Sequence, residues 1–472
     1  MGAFRVVATC LHRSRYVFRL LIFILVVSLC TAVVFYLKVE DRGDYLGRLR
    51  GPHHLGHQIG VMEEFVPGLH LKGRPFGPRT YCNYTFRPLD SVDPWDMFSF
   101  DPSLSKPSVQ LGEKGPYRVV YNIVPGQNAS RGAITYCTHA TPDFLYHLSE
   151  LLLHWDGAIS VTLFAPGTDA HLAAILVDKL CRCVPQMARV SFHLAFPKDL
   201  PPAKGDWMQD PDLKLGDCSP PAKKVLTQRR SQELTYPVNV GRNAARQASK
   251  TNFVLVSDIE LIPSIGLNEQ FAVLLHRLNE RRNTLMKIRA ASNWTGKGFV
   301  YVLPVFEVEP SASVPRDKEQ LLQLYQKDRA VFFHRWVCPH CQKFPGLQKW
   351  LKRKGKPGFV QPLMVVNREY PFHRWEPVYI GTKNEPLYSE ELSWEGQQDK
   401  MTQMDQMCLE GYKFVILDRA FLVHSPGIKR KSSPVVSKWR KPHEQRNMKL
   451  YISITQNLLK QYKNPNQRCK LQ

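Results

Sequence analysis

Residues Leu20 to Leu37, LLIFILVVSLCTAVVFYL, are eighteen consecutive positions without a charge. At about 1.5 Å of helical rise per residue they approach the roughly 30 Å hydrocarbon core of a bilayer. Tyr16-Val17-Phe18 extends the apolar run past Arg19. Arg5, Arg13, Arg15 and Arg19 stand before the run, and positive charge on that flank keeps the N-terminus cytoplasmic. A cleaved leader is the competing reading. The run is longer than a usual signal h-region, however, and Lys38-Val39-Glu40-Asp41 follows it where a small-x-small cleavage site would stand. The expectation is a single-pass type II protein: cytoplasmic tail over 1–19, signal anchor over 20–37, stem and lead-in over 38–115, and a lumenal or extracellular body over 116–472.

That topology changes what the other features mean. The net charge is +23, which would ordinarily suggest nucleic acid or an anionic membrane face. Nucleic acid is not expected beyond the membrane, so the surplus is read as serving acidic substrates, anionic glycans or solubility. Cysteines there can oxidise. Of the eleven cysteines, Cys10 and Cys30 fall in the tail and span, and the odd remainder of nine requires at least one free or intermolecular thiol. Three N-x-S/T sequons, at Asn83, Asn128 and Asn293, become credible glycosylation sites.

From Tyr117 onward, short apolar strands alternate with helical patterns. Strands are expected over 117–124, 133–137, 159–164, 189–196, 252–256, 299–308 (interrupted by Pro304) and 414–417. Helices are expected over 169–181, 238–249, 317–330, 400–410 and 443–460, with a polar insertion over 201–232. This alternation predicts an α/β fold built on a mainly parallel sheet. No internal repeat and no Gly-rich phosphate loop is present.

The sharpest local feature is Phe253-Val254-Leu255-Val256-Ser257-Asp258-Ile259-Glu260, a buried strand ending in two carboxylates spaced i, i+2. Ligands of open α/β sheets bind beyond the carboxyl ends of strands. Two hard oxygen ligands there suit Mn²⁺ or Mg²⁺, and through the ion a diphosphate. An acidic turn is the plainer alternative. Upstream, Arg242 and Arg246 share one helical face within YPVNVGRNAAR, where a nucleotide would find cations.

Taken together, YPVNVGRNAAR, FVLVSDIELIPSIGL, FVYVLPVFEVE, YPFHRWEPVYIG and GYKFVILDRAFLVH resemble glycosyltransferase family 49. The resemblance implies a GT-A-like, Rossmann-like lumenal domain using a UDP-sugar donor and Mn²⁺ or Mg²⁺. Asp258 and Glu260 fall on the family's D-x-D, with Glu in place of the second Asp, and His424 falls on the distal histidine that completes the metal site. Asp258, Arg242 and Arg246 are the residues expected to face the donor. Trp375-Glu376-Pro377 matches a stretch near the acceptor. For the base of an inverting transfer, Glu390 is preferred and Asp399 is second.

The resemblance further implies a Golgi type II enzyme that transfers glucuronic acid from UDP-glucuronate, in a β-1,4 link, to a xylose-terminated O-mannosyl glycan of a glycoprotein. Two rivals stay open: a β-1,3-N-acetylglucosaminyl or xylosyl transferase, and an inactive membrane-anchored glycan-binding scaffold. Arg242, Lys297 and Arg374 are equal candidates for the cation that meets the donor's carboxylate. Cys338-Pro339-His340-Cys341, with His334, invites a zinc reading. No second ligand pair stands at suitable spacing, so a disulfide is preferred, either within the motif or to distant cysteines. Cys181 and Cys183 are too close to bridge each other easily, so each is expected to pair elsewhere.

Overall fold

Three stretches of this chain, 253–263, 299–308 and 413–424, each leave one β-sheet and enter another, and the candidate site lies where they cross. The computed structural model describes residues 65–84, 93–98, 101–127, 132–207, 210, 213, 216–221, 223, 225–280, 297–353, 358–424, 427–430, 434–462 and 469–471. The chain divides into units 1–62 and 63–472, and every described residue belongs to the second. The tail, the predicted anchor, Asn128 and Asn293 lie outside the described residues. Asn83 lies within them and is exposed. Among the described residues no helix is long and apolar enough to cross a membrane.

The strands are β1 (Lys106–Pro107), β2 (Tyr117–Val124), β3 (Ile134–Ala140), β4 (Ala158–Phe164), β5 (Val190–Pro197), β6 (Phe253–Val256), β7 (Leu261–Pro263), β8 (Phe299–Leu303), β9 (Val305–Val308), β10 (Ala330–Phe332), β11 (Gln361–Val366), β12 (Val378–Gly381), β13 (Lys413–Asp418) and β14 (Leu422–His424). The main helices are α1 (His147–His154), α2 (Asp169–Cys183), α3 (Val238–Ala248), α4 (Leu267–Glu280), α5 (Lys318–Gln326), α6 (Met401–Leu409) and α7 (Pro434–Gln461).

One sheet has the order β1-β2-β5-β4-β3-β6-β12-β8-β13-β11 and the other β10-β9-β14-β7. The α/β expectation holds, but the large sheet is mixed rather than mainly parallel. β5-β4-β3-β6 is a parallel block, and β8 runs parallel to β13. β12 enters antiparallel to both β6 and β8, β2 joins antiparallel to β5 with β1 antiparallel outside it, and β11 closes the other end antiparallel to β13.

Strand alternation sorts the core onto two faces of the parallel block. Ile134, Tyr136, Ile159, Val161 and Leu163 pack with Leu148 and Leu151 of α1 and Leu172, Ile175 and Leu176 of α2. The opposite face packs on α3: Val119, Phe164 and Ala195 with Val240 and Ala244, and Cys137 and Val254 with Ala245. A further cluster of Val300, Val302, Phe306, Trp350, Trp375, Phe414 and Phe421 supports the crossing strands. Each such fully buried side chain contributes about 1.5–3 kcal/mol.

Pro304 does more than interrupt the 299–308 pattern. It marks the shift of the chain from β8 in the large sheet to β9 in the small one, where a residue without an N–H costs no ladder bond. Its carbonyl accepts from Leu422 N at 2.9 Å, tying this shift to the matching one between β13 and β14. The helix expected over 317–330 ends at Gln326, and Ala330 already belongs to β10. The terminal helix begins earlier than expected, at Pro434.

The described part of the lead-in packs on the body. Leu71, Cys82 and Tyr84 are buried, Tyr84 donates to Asp178 at 2.9 Å, and Cys82 is disulfide-bonded to Cys181. Cys183 pairs with Cys218 in the insertion and Cys408 with Cys469, while Cys338 pairs with Cys341 and Cys137 is free and buried. Thus Cys181 and Cys183 each pair elsewhere, and the odd thiol is internal.

Arg368 is a buried cross-brace. It donates to Asp405 at 2.8 Å and to the Trp375 carbonyl at 2.7 Å, and Asp405 accepts in turn from Tyr451 at 2.6 Å, joining α6 to α7. Removing one member of such a pair strands the other charge. Arg368→Ala should lower unfolding free energy by about 3–5 kcal/mol, read as a fall in the urea midpoint.

Candidate active site

The strand order reverses between β3 and β6, which is where open α/β sheets hold their ligands. In that pairing Cys137 lies opposite Val256, so two residues on, past the end of β6 and near the end of β3, His139 comes opposite Asp258. His139 Nε2 is 3.3 Å from Asp258 Oδ1. Helix α3 crosses directly above. At Gly241 a Cβ would lie 2.8 Å from His139 Cβ, so only glycine lets the helix come this close. The approach delivers Arg242, whose Nη2 donates to Asp258 Oδ1 at 3.0 Å. Its Nη1 donates to Asn239 at 2.9 Å and also pairs with Asp399. Lys400 Nζ stands 3.4 Å from Asp258 Oδ2. The Tyr136 hydroxyl lies 3.0 Å from the Asp258 carbonyl and 2.6 Å from that of Leu261, fixing the acidic turn. Burial opposes ionisation of Asp258, but Lys400 and Arg242 outweigh it and hold the carboxyl well below its ordinary value.

The other half of the site comes from the small sheet. His424 ends β14 and pairs in register with Leu261 of β7 on one side and Glu307 of β9 on the other. Glu260 is next to Leu261, and His424 Nε2 lies 3.9 Å from its Oε2. That nitrogen is buried and makes no hydrogen bond. Burial, with Lys429 and His334 nearby, holds the His424 pKa well below its ordinary value, so the ring is neutral at pH 7, the form that ligates metals. Burial raises the Glu260 carboxyl, with Lys429 opposing. Glu307 accepts from His334 N at 3.2 Å and Lys429 N at 3.1 Å, so one buried carboxylate anchors both flanking loops.

The sequence-expected metal set of Asp258, Glu260 and His424 therefore converges at one corner. It is wider than a closed cluster: among the described residues, the group of three potential ligands lying within 4.8 Å of one another is Cys338, His340 and Cys341, and Cys338 and Cys341 are disulfide-bonded. The unpartnered Nε2 of His424 facing Glu260, with the ionised Asp258 beside them, is a donor set that fits a hard divalent ion.

The remaining expected residues have other commitments. Arg246 donates to the carbonyls of Pro386, at 2.9 Å, and Glu385. Glu390 is buried. Its Oε2 accepts from Gln110 N and Leu111 N at 3.0 Å each, and its Oε1 accepts from Asn243 at 3.0 Å. Asp399 is paired with Arg242 beside Lys400. Lys297 pairs with Glu410 at 3.2 Å, whereas Arg374 is exposed, 3.4 Å from His340.

Sequence reasoning did not single out His139 or Lys400, it considered His334 only as a zinc ligand, and it left Glu376 without a chemical role. His139 had a signal, a polar residue at the carboxyl end of a strand. Glu376 is half-buried near Asp399, Lys400, Arg242 and Arg368, and burial foremost, with Asp399, pushes its carboxyl up to about 7.

A family model described as "Glycosyl-transferase for dystroglycan" matches residues 133–463. The chain belongs to glycosyltransferase family 49. Among its relatives in that family is β-1,4-glucuronyltransferase 1 of Danio rerio, 29% identical over 378 residues that cover 75% of this chain and 82% of the relative. The Homo sapiens protein of the same name is 29% identical over 371 residues, 76% of this chain and 83% of its own. The solved structure of S. aureus TarS is a distant likeness, with TM-score 0.32 and 10% identity over 71% of this chain and 40% of that one. The family match runs from β3 to α7 and so encloses every strand end that builds the corner.

In this family 49 glycosyltransferase the surroundings of Glu390 make a stability prediction. Glu390→Ala leaves two backbone N–H groups and one of the two amide hydrogens of Asn243 without an acceptor, and it should cost about 2–4 kcal/mol in urea unfolding. An unchanged midpoint would show that the carboxylate is not a structural staple.

Proposed function

We propose that this glycosyltransferase moves glucuronic acid from UDP-glucuronate, with inversion, to a xylose-terminated glycan through a β-1,4 link. We further propose that 20–37 anchors it in the Golgi membrane with the body in the lumen. The observation that carries the reading is the meeting of Asp258, Glu260 and His424 beyond the carboxyl end of β6, at the reversal of strand order. The names borne by its relatives favour glucuronate as the sugar.

Asp258, Glu260 and His424 would hold Mn²⁺ or Mg²⁺. When bound, such an ion supplies Lewis-acid neutralisation of the diphosphate leaving group. Arg242 and His139 keep Asp258 charged and oriented, and Lys400 adds a fixed positive charge on the phosphate side. Glu376 is the base in this reading. Its carboxylate takes the proton of the acceptor hydroxyl as that oxygen bonds to the anomeric carbon, and the bond from that carbon to the diphosphate oxygen breaks on the opposite face. Glu390 is committed to the backbone and Asp399 to Arg242, whereas Glu376 carries a carboxyl poised near neutrality.

The full-length protein, given Mn²⁺ and a panel of UDP-sugars with a xyloside acceptor, should turn over UDP-glucuronate at least about tenfold faster than UDP-glucose, which lacks the carboxylate. Equal rates, or preference for UDP-N-acetylglucosamine or UDP-xylose, would replace the sugar. No transfer from any donor would favour a binding scaffold.

The base makes a separate prediction. A base must be deprotonated to act, so kcat/KM should rise with pH through about 7. Glu376→Gln should remove that limb and lower kcat by about 10²–10⁴ while sparing UDP affinity. A variant that keeps the limb would move the base elsewhere.

A further inference from the structure

Of the four disulfides among the described residues, three close 99, 35 and 61 residues, and Cys82, Cys181, Cys183, Cys218 and Cys408 are all buried. Bridges of that kind restrict the unfolded chain over long loops and are shielded from attack. The fourth, Cys338–Cys341, spans a separation of 3 residues. Its loop-closure contribution is the smallest of the set, because that contribution grows with the logarithm of loop length. Both of its cysteines are half-buried between exposed residues, Trp336 and Val337 on one side and Pro339 and His340 within the motif.

The chemistry around this bridge differs from that of the others. His340 Nε2 lies 3.4 Å from Cys338 Sγ, and Arg374 Nη1 lies 3.4 Å from the same nitrogen. An imidazole beside one sulfur, with a guanidinium against that imidazole, favours its thiolate, which makes it the better leaving group in exchange. The turn is also wired to the cleft. Cys338 N donates to the His334 carbonyl at 2.9 Å, and Glu376 N donates to the Cys341 carbonyl at 2.8 Å.

We propose that Cys338–Cys341 is a thiol–disulfide exchange site, open to a small or protein-borne dithiol. A thiolate of the dithiol attacks Cys341 Sγ, the Cys338–Cys341 bond breaks, and Cys338 leaves as a thiolate beside His340. The second thiol of the dithiol, after losing its proton, attacks its own sulfur in the mixed disulfide, and Cys341 leaves and takes up a proton. Two electrons pass from the dithiol to the protein, and the dithiol departs as a disulfide. The reverse sequence oxidises a client dithiol.

The test uses the full chain under native conditions and needs no transferase activity, so its failure is distinguishable from failure of the transfer reading. The protein is titrated with dithiothreitol, alkylated, and mapped by peptide mass spectrometry. Cys338 and Cys341 should be labelled at a dithiothreitol concentration at least about tenfold below that needed for Cys82, Cys181, Cys183, Cys218, Cys408 and Cys469. His340→Ala should slow reduction of this bridge about tenfold at pH 7 and leave the other three unchanged. Reduction of all four bridges together, reduction of this one last, or an unchanged rate in His340→Ala would overturn the proposal.

Discussion

Arg242 is the interaction on which the rest of the site depends. A guanidinium this deeply buried is tolerated only when charged and polar partners compensate its lost hydration. Here Asp258 and Asp399 do so, with Asn239 and the face of Tyr388, whose ring centroid is 5.4 Å away. These partners come from the carboxyl end of β6, the loop before α6, and α3 itself. One side chain thereby sets the distance between the parallel block and the second half of the domain. Gly241 is part of the same arrangement, since the helix must touch β3 for the guanidinium to reach its partners.

Around that pin, the two sheets explain why a site exists at all. A strand that continued straight from β6 would carry Asp258 and Glu260 out along one face, about 7 Å apart and away from His424. The chain instead turns through Ser257 to Glu260 and re-enters pairing as β7. The β8–β9 and β13–β14 segments make the same passage side by side, both pairs parallel. Their common shift leaves a corner bounded by three chain segments, with His424 on one wall and Asp258 on another. Residues more than 160 positions apart therefore meet without any long loop.

What could be read from the sequence followed the locality of each signal. The parallel block, α2, α3 and the acidic strand end rest on short-range periodicity, and they appear where expected to within three residues. The mixed character of the large sheet was not legible, because β12 is only four residues long and its direction is set by neighbours distant in sequence. For the site, a strand followed by D-I-E was visible, and the family likeness drew in His424. Lys400 and His139 were not, since neither sits in a pattern that a surface lysine or a core histidine would not also show. Glu390 and Arg246 illustrate the converse: a charged residue in a suggestive motif whose partners are mostly main-chain groups that no sequence pattern reveals.

The charges around the corner also decide which side of it favours a cation. Arg242 and Lys400 are matched by Asp258 and Asp399, so that cluster is close to neutral by itself. Glu260 is different. Among the described residues its ionic partner within 4.0 Å is His424, and that ring is kept neutral by burial. Lys429 acts on both from the loop pinned by Glu307, and its ammonium lies 5.7 Å from the centroid of the Phe333 ring, which itself stacks on His424. The negative charge not answered at close range is thus on the Glu260 side, next to a neutral imidazole nitrogen, whereas Asp258 is already held by fixed cations. Glu in place of Asp at 260 is consistent with this division. The anchor for the whole arrangement is Asp258, and the residue beside His424 needs reach more than rigidity, because its own backbone is fixed one position before a paired strand.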